Sequence, residues 1–98
     1  MKRKDEIEVS ILIPTFNRDK YIKRAIDSSL NQEFPCEVLV CDHGSSDNTE
    51  DICLSYGERI TYVRRDKDFG IHFCELDSII SASGKYIHFC FDDDWMHP

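Results

Sequence analysis

The stretch Lys85-Tyr-Ile-His-Phe-Cys-Phe91 runs directly into Asp92-Asp-Asp-Trp95. After Lys85, the first of these segments contains only aromatic residues, Ile, His and Cys. Such a composition is typical of a strand that is buried on both faces of a parallel sheet. We therefore predict a buried strand over residues 85–91, with three adjacent carboxylates at its carboxyl end.

These carboxylates, Asp92, Asp93 and Asp94, indicate a ligand site. In open α/β sheets the ligand crevice lies just beyond the carboxyl ends of the strands, so carboxylates placed there can reach a bound molecule or a metal ion. Adjacent like charges repel by about 1 kcal/mol per pair even in water, and Mg²⁺ or Mn²⁺ would relieve the repulsion. The alternative is a solvated acidic turn, the usual role of an isolated charge run.

Apolar runs of strand length alternate with amphipathic segments along the rest of the chain. The first strand is predicted to end at Pro14, because proline cannot donate to a central ladder. Alternation of this kind implies right-handed crossovers and a parallel sheet covered on both faces. We predict a single α/β domain over residues 1–98, with a three-layer, Rossmann-like sheet in the order β-α-β-α-β-α-β. The remaining strands and helices are predicted over residues 8–13, 36–41 and 59–63, and after Asn17, Asp47 and Gly70, with Asn17 as a helix cap.

The charge of the chain argues against a nucleic-acid partner. It carries 12 Lys and Arg against 19 Asp and Glu, a net charge of −7. Phosphate-backbone binding needs a basic surface, which this composition does not supply. No apolar run has the length of a membrane span, and the charged N-terminus lacks a signal-peptide core. We therefore expect a cytoplasmic protein without a transmembrane segment in this chain.

The cysteines and histidines show no metal-binding or disulfide spacing. The five cysteines are odd in number and contain no C-x-x-C pair, so neither a disulfide framework nor a zinc site is indicated. We expect them to be reduced and to pack as small apolar residues. His88 is expected to be a satisfied core or interface residue rather than a ligand.

Three polar loops are predicted to converge at the carboxyl edge of the sheet. They cover residues 14–17, 42–46 and 92–95. Several polar loops on one rim are what a nucleotide or another phosphate-bearing ligand requires. Taken alone, Asp42 is better explained as a cap of the next turn.

Four segments of the sequence form a recognisable set of motifs: Val9-Ser-Ile-Leu-Ile-Pro-Thr-Phe-Asn17, Leu39-Val-Cys-Asp-His-Gly-Ser-Ser-Asp47, Ala82-Ser-Gly-Lys-Tyr-Ile87 and Asp92-Asp-Asp-Trp95. Together they resemble the N-terminal half of the family-two inverting glycosyltransferases of GT-A fold, and the resemblance covers nearly the whole chain. It implies that this chain is the nucleotide-sugar-binding part of a longer enzyme, whose C-terminal half holds the acceptor site and the catalytic base. The full-length protein would then be cytoplasmic or peripheral at the membrane.

The resemblance also implies site residues and ligands. The donor would be a nucleotide-diphosphate sugar, with a UDP-sugar as the first expectation, and the acceptor a glycan or another hydroxyl compound. The cofactor would be Mn²⁺ or Mg²⁺. By position in the family's motifs, the nucleotide-binding residues are Pro14, Thr15, Asp42, His43 and Asp92, with Asp92 on the ribose, and the metal ligands are Asp93 and Asp94.

Three departures from the family pattern affect these expectations. His43 replaces the usual second acid, which concerns recognition of the base. Phe91 occupies the place where the first acid of the D-x-D pattern often stands. An Ala-Arg-Asn triplet is often found where this chain has Cys74-Glu-Leu76, so the diphosphate loses an expected cation. Arg64 or Arg65 would replace it only if the fold brought them near.

Two other classes remain open from the sequence. A receiver-like phosphoacceptor module also places acids at the ends of parallel strands, but it requires an acidic pair where Pro14-Thr-Phe16 stands. A non-catalytic nucleotide-binding or metal-binding α/β module would satisfy the same pattern of loops.

Overall fold

The structure, a computed structural model, describes residues 8–32, 36–67 and 70–90. Strands and helices alternate along the chain as predicted, with one short 3-10 helix in addition. The strands are β1 (Val9–Thr15), β2 (Cys36–His43), β3 (Thr61–Arg65) and β4 (Tyr86–Phe89). The α-helices are α1 (Ile22–Leu30), α2 (Thr49–Leu54) and α3 (Ile71–Ser81), and the 3-10 helix is Gly57–Arg59.

The four strands form one parallel sheet in the order β3-β2-β1-β4. The chain moves from β1 outward to β2 and β3, and then returns through α3 to the other side of β1. The switch point of this topology therefore lies between β1 and β4. This arrangement confirms the predicted Rossmann-like α/β fold.

The main core lies between the sheet and the first two helices. Ile11 and Ile13 of β1 and Val38 and Val40 of β2 are almost completely buried. By strand alternation, Leu12 and Leu39 lie on the opposite face, which α3 covers. The residues that complete the core lie in α1 and α2, at the two ends of the 3-10 helix, and just after β4: Ile22, Ala25, Ile26, Cys53, Tyr56, Ile60 and Cys90.

β1 continues two residues beyond its predicted end. Pro14 lies inside the strand, in register with Cys41 of β2. Leu12 accepts a hydrogen bond from the Cys90 amide at 2.9 Å, so its backbone groups face β4. Pro14 lies two residues later and faces the same side, so the N–H that proline lacks would have pointed toward β4. The ladder with β2 does not need this N–H, and it continues through Pro14 and Thr15. The prediction that Pro14 ends the strand was therefore wrong.

β4 is less buried than its composition predicts. Tyr86 and Ile87 are 65% and 43% exposed, and His88 is exposed as well. β4 is an edge strand of the described sheet and pairs there with β1 alone. The prediction of a strand buried on both faces is therefore wrong for the described residues. Of the two roles predicted for His88, the core position is excluded by its exposure, and the interface position stays a prediction.

Gly84 brings the turn before β4 against β1. A Cβ atom at this position would lie 2.6 Å from the backbone nitrogen of Ser10. Without that atom, the Gly84 amide donates to Ser10 Oγ at 2.7 Å. Among the described residues, no helix has the length and apolar character needed to cross a membrane.

Candidate functional site at the carboxyl edge of the sheet

The loops that follow β1 and β2 are joined by reciprocal hydrogen bonds. The Asn17 amide donates to Ser45 Oγ at 2.8 Å, and the Ser46 amide donates to Asn17 Oδ1 at 2.7 Å. Asn17 has a φ of 51°, a left-handed conformation that asparagine tolerates better than most residues. It does not cap α1, which begins at Ile22 with Tyr21 as its N-cap, so that prediction was wrong. Asn17 instead connects the two loops.

A second pair of hydrogen bonds connects the same loops further from the sheet. The Asp19 amide donates to Asp47 Oδ2 at 3.1 Å, and the Asn48 amide donates to Asp19 Oδ2 at 3.3 Å. Asp47 also accepts a hydrogen bond from the amide of Thr49, the first residue of α2, at 3.0 Å. The start of α2 is thus tied to the loop that precedes α1.

Asp42 is buried at the end of β2, and protein groups contact both of its carboxylate oxygens. Oδ1 accepts from the Ser45 amide at 3.1 Å, while Oδ2 accepts from Tyr62 Oη at 2.5 Å and from Arg64 Nη1 at 3.2 Å. Burial, together with the hydrogen bond to Asp42, raises the pKa of the Tyr62 hydroxyl, which therefore stays protonated as a donor. Asp42 therefore holds the loop at Ser45 in place, and the positive charge of Arg64 balances its negative charge.

His43 lies on the opposite face of the sheet, beneath α3. It is 3% exposed, and its Nε2 is 2.8 Å from Asp77 Oδ2. Arg65 donates to the same carboxylate twice, from Nε to Oδ2 and from Nη2 to Oδ1, both at 2.9 Å. The Arg65 guanidinium holds the pKa of Asp77 well below its ordinary value. Asp77 is therefore an ionised carboxylate that joins α3 to β2 and β3.

The sequence analysis did not identify Asp77. The signal that could have found it is its spacing from Cys74, because residues three apart lie on the same face of a helix. Cys74 is 3% exposed and donates through Sγ to the backbone carbonyl of Cys41 at 3.3 Å. Cys74 and Asp77 thus both face β2.

The structure brings four of the predicted nucleotide-binding residues to one edge. Pro14 and Thr15 end β1, Asp42 and His43 end β2, and Thr15 is in register with Asp42. All four are buried. They form a supporting layer beneath the two loops.

The other predicted ligands, Asp92, Asp93 and Asp94, lie outside the described residues. Arg64 and Arg65 are each paired with protein carboxylates, Arg64 with Asp42 and also, at 3.4 Å, with Glu50. Their ion pairs give no support to the idea that they replace the missing diphosphate cation.

The site lies at the carboxyl edge of a parallel sheet, where two loops are joined next to the switch point between β1 and β4. An α/β domain of this kind binds its ligand beyond the strand ends. The family model described as "Glycosyl transferase family 2" matches residues 10–98. The chain belongs to this family.

Relatives and solved structures agree with this assignment. An uncharacterized glycosyltransferase of Rickettsia prowazekii is 38% identical over 91 residues, which is 92% of this chain and 28% of that protein. Residues 1–349 of S. aureus TarS superpose with a TM-score of 0.84 and 27% identity, covering 93% of this chain and 29% of that one. This chain therefore spans less than a third of the length of either protein.

Several of the similar structures contain ligands. S. aureus TarS 1–349 in complex with UDP-GlcNAc matches with a TM-score of 0.82 and 27% identity, over 93% of this chain and 28% of that one. Glucosyl-3-phosphoglycerate synthase from Mycobacterium tuberculosis, in complex with Mn²⁺, UDP and glucosyl-3-phosphoglycerate, matches with a TM-score of 0.73 and 26% identity, over 91% of this chain and 34% of that one. The predicted family and the predicted GT-A-type fold are thus confirmed.

Proposed function

We propose that this chain is the donor-binding part of a glycosyltransferase that uses a nucleotide-diphosphate sugar. The enzyme would transfer the sugar to an acceptor hydroxyl with inversion and with the assistance of a divalent cation. The observation that carries this proposal is the similarity, at 27% identity and a TM-score of 0.82, to TarS in complex with UDP-GlcNAc. A UDP-sugar is therefore the donor that we test first.

We assign the nucleoside to the edge formed by the ends of β1 and β2. Asp42 and His43 are buried and hydrogen-bonded to neighbouring side chains, so they support the base-binding surface from beneath. The backbone after Pro14 and Thr15 would lie along the base, and the loop that Asn17 holds in place would close its other side. Phe16 lies between Thr15 and Asn17 and is 43% exposed, so it offers an aromatic surface at the same edge.

We assign Asp92 to the ribose, and Asp93 and Asp94 to the divalent cation. Carboxylate oxygens are the donors that Mg²⁺ and Mn²⁺ prefer, so the residue types fit the group. Cys90 hydrogen-bonds to β1 at Leu12, and in sequence the acids begin two residues later. A bound cation would neutralise charge that develops on the departing nucleotide diphosphate.

We place the general base and the acceptor pocket outside these 98 residues. In an inverting transfer the acceptor hydroxyl loses its proton to a base while its oxygen attacks the anomeric carbon in line, and the nucleotide diphosphate leaves with the electron pair of the broken bond. The carboxylates of Asp42, Asp47 and Asp77 at the described edge already accept hydrogen bonds from protein donors. None of these three is placed to serve as the base.

Equilibrium binding of nucleotides tests the proposal. UDP, GDP and dTDP are titrated separately into the chain by calorimetry in the presence of Mn²⁺, with uridine as a control that lacks the diphosphate. We expect saturable binding of at least one nucleoside diphosphate and much weaker binding of uridine, because the diphosphate shares the cation with the carboxylates. Binding of none of the three diphosphates would contradict a donor-binding function.

A further inference from the structure

A cluster of sulfur and nitrogen donors lies beneath the candidate donor site, between β2 and α3. Ligand atoms of Cys41, His43 and Cys74 all lie within 4.8 Å of one another. All three residues are at least 97% buried, with exposures of 0%, 3% and 3%. Two thiols and an imidazole therefore share one small volume inside the protein.

We propose that Cys41, His43 and Cys74 form a binding site for a zinc-class metal ion, distinct from the carboxylate site expected for Mn²⁺ or Mg²⁺. Cysteine and histidine are the ligands that zinc prefers, and two Cys with one His is a known three-ligand zinc set that leaves a fourth position for water or another group. Manganese and magnesium prefer oxygen donors instead. The chemistry of the ligands therefore separates the two sites.

The spacing of the ligand atoms suits a tetrahedral ion after a small adjustment. Metal–ligand bonds of about 2.0–2.3 Å place tetrahedral ligand atoms roughly 3.3–3.8 Å apart. Side-chain rotations that close the cluster by about 1 Å would therefore complete the site. The two sides of the cluster are already in contact, since Cys74 Sγ donates to the Cys41 carbonyl at 3.3 Å. This hydrogen bond would be given up when the thiol loses its proton and binds the metal ion.

Asp77 contacts two members of this cluster. Its Oδ2 is 2.8 Å from His43 Nε2 and 3.5 Å from Cys41 Sγ. The ring nitrogen that does not share a proton with Asp77 would be the one that binds the metal ion. A carboxylate that holds the second ring nitrogen in this way is the usual outer partner of a zinc-bound histidine. The bidentate contacts from Arg65 fix that carboxylate in turn.

Sequence spacing did not reveal the cluster because its ligands come from separate elements. Cys41 and Cys74 are 33 residues apart, and the crossover through β3 and α3 brings them together. The five cysteines, all of them among the described residues, form no disulfide. Both thiols of the proposed site are therefore available as ligands.

Metal retention and thiol protection test the proposal on the whole chain. The reduced protein is loaded with Zn²⁺, desalted and analysed for bound metal, and Co²⁺ is titrated as a spectroscopic probe of thiolate ligation. We expect one zinc ion per chain and the visible absorption of a tetrahedral cobalt–thiolate site. Cys41→Ser or Cys74→Ser should weaken zinc binding by more than about 100-fold, since losing an outer-shell partner alone costs about 10–100-fold. Asp77→Asn should weaken it by about tenfold.

The matched control is Cys36→Ser, a half-buried cysteine outside the cluster, which should retain zinc like the parent. A second readout needs no variant, because Zn²⁺ should slow the alkylation of Cys41 and Cys74 but not of Cys36. Asp93→Ala should leave zinc binding intact, so failure of the donor-binding proposal and failure of this one are distinguishable. Zinc loss on desalting with unchanged alkylation rates would overturn the proposal, as would full zinc retention by the Cys41→Ser/Cys74→Ser double variant.

Discussion

His43 and Asp77 are 34 residues apart in sequence and are joined by a 2.8 Å contact between Nε2 and Oδ2. Arg65 from the edge strand β3 completes the arrangement with two hydrogen bonds to the same carboxylate. The carboxyl end of β2 is thereby connected to α3 on one side and to β3 on the other. At position 43, where the family usually carries an acid, this chain therefore has a histidine that is paired with an acid, Asp77.

Asp77→Asn should destabilise the fold at neutral pH, because it removes the charge that Arg65 and His43 contact. Hydrogen bonds to charged groups contribute about 1.5–3 kcal/mol each, and the partial exposure of Asp77 and Arg65 places the expected loss near the lower figure. Urea unfolding at neutral pH measures the loss. Asp66→Asn, at an exposed position after β3, is the matched control and should change the free energy of unfolding by less than about 0.5 kcal/mol. Equal stability of both variants would contradict the assigned contacts.

The contribution of Asp77 should also depend on pH in a defined direction. Its pKa in the folded state lies below the ordinary value of 3.8, so the unfolded state takes up the proton first on acidification. The stabilisation is therefore fully present above that value and is lost as the pH falls below it. Between about pH 5 and pH 2 the parent should lose more stability than Asp77→Asn, and the two should converge. Parallel curves over this range would contradict the lowered pKa.

Asp42→Ala should destabilise the chain more than Tyr62→Phe. The first change removes the acceptor shared by the Tyr62 hydroxyl, Arg64 and the Ser45 amide, so it breaks three hydrogen bonds at once. The second removes one hydrogen bond and costs about 1 kcal/mol. Chemical denaturation of both single variants and the double variant gives the coupling energy. Additive effects would show that the 2.5 Å contact between the two side chains is energetically unimportant.

His43→Asp should alter the ranking of UDP, GDP and dTDP, if His43 supports the base-binding surface as proposed. The new carboxylate would face Asp77, and repulsion between them would displace the end of β2. His43→Gln is the matched control, because its amide can still donate to Asp77 and should preserve the ranking. The measurement is calorimetric titration of each nucleotide with Mn²⁺. An unchanged ranking in His43→Asp would argue against any role of this position in base recognition.

The alternation of apolar runs and amphipathic segments was sufficient to predict the fold, because strand and helix periods are local properties of the sequence. The spacing of Asp77 from Cys74 indicates only that both residues lie on one face of α3, and the partners of Asp77, His43 and Arg65, are too distant in sequence to follow from that spacing. Asn17 shows a similar limit, since its side chain is equally suited to cap a helix or to connect two loops. At Pro14 the strand continues because the missing N–H would have faced β4, so the ladder with β2 is unaffected. The family assignment is confirmed, while the roles of Asp92, Asp93 and Asp94 stay predictions.

We propose that the acidic residues that follow β4 in sequence bind a nucleotide diphosphate through a divalent cation. Calorimetric titration of UDP into the parent, Asp93→Ala and the exposed control Asp66→Ala, each with and without Mn²⁺, tests this directly. We expect Mn²⁺ to strengthen UDP binding to the parent and to Asp66→Ala. In Asp93→Ala most of this Mn²⁺-dependent gain should be absent, because a cation ligand has been removed. An equal Mn²⁺-dependent gain in all three proteins would contradict the claim.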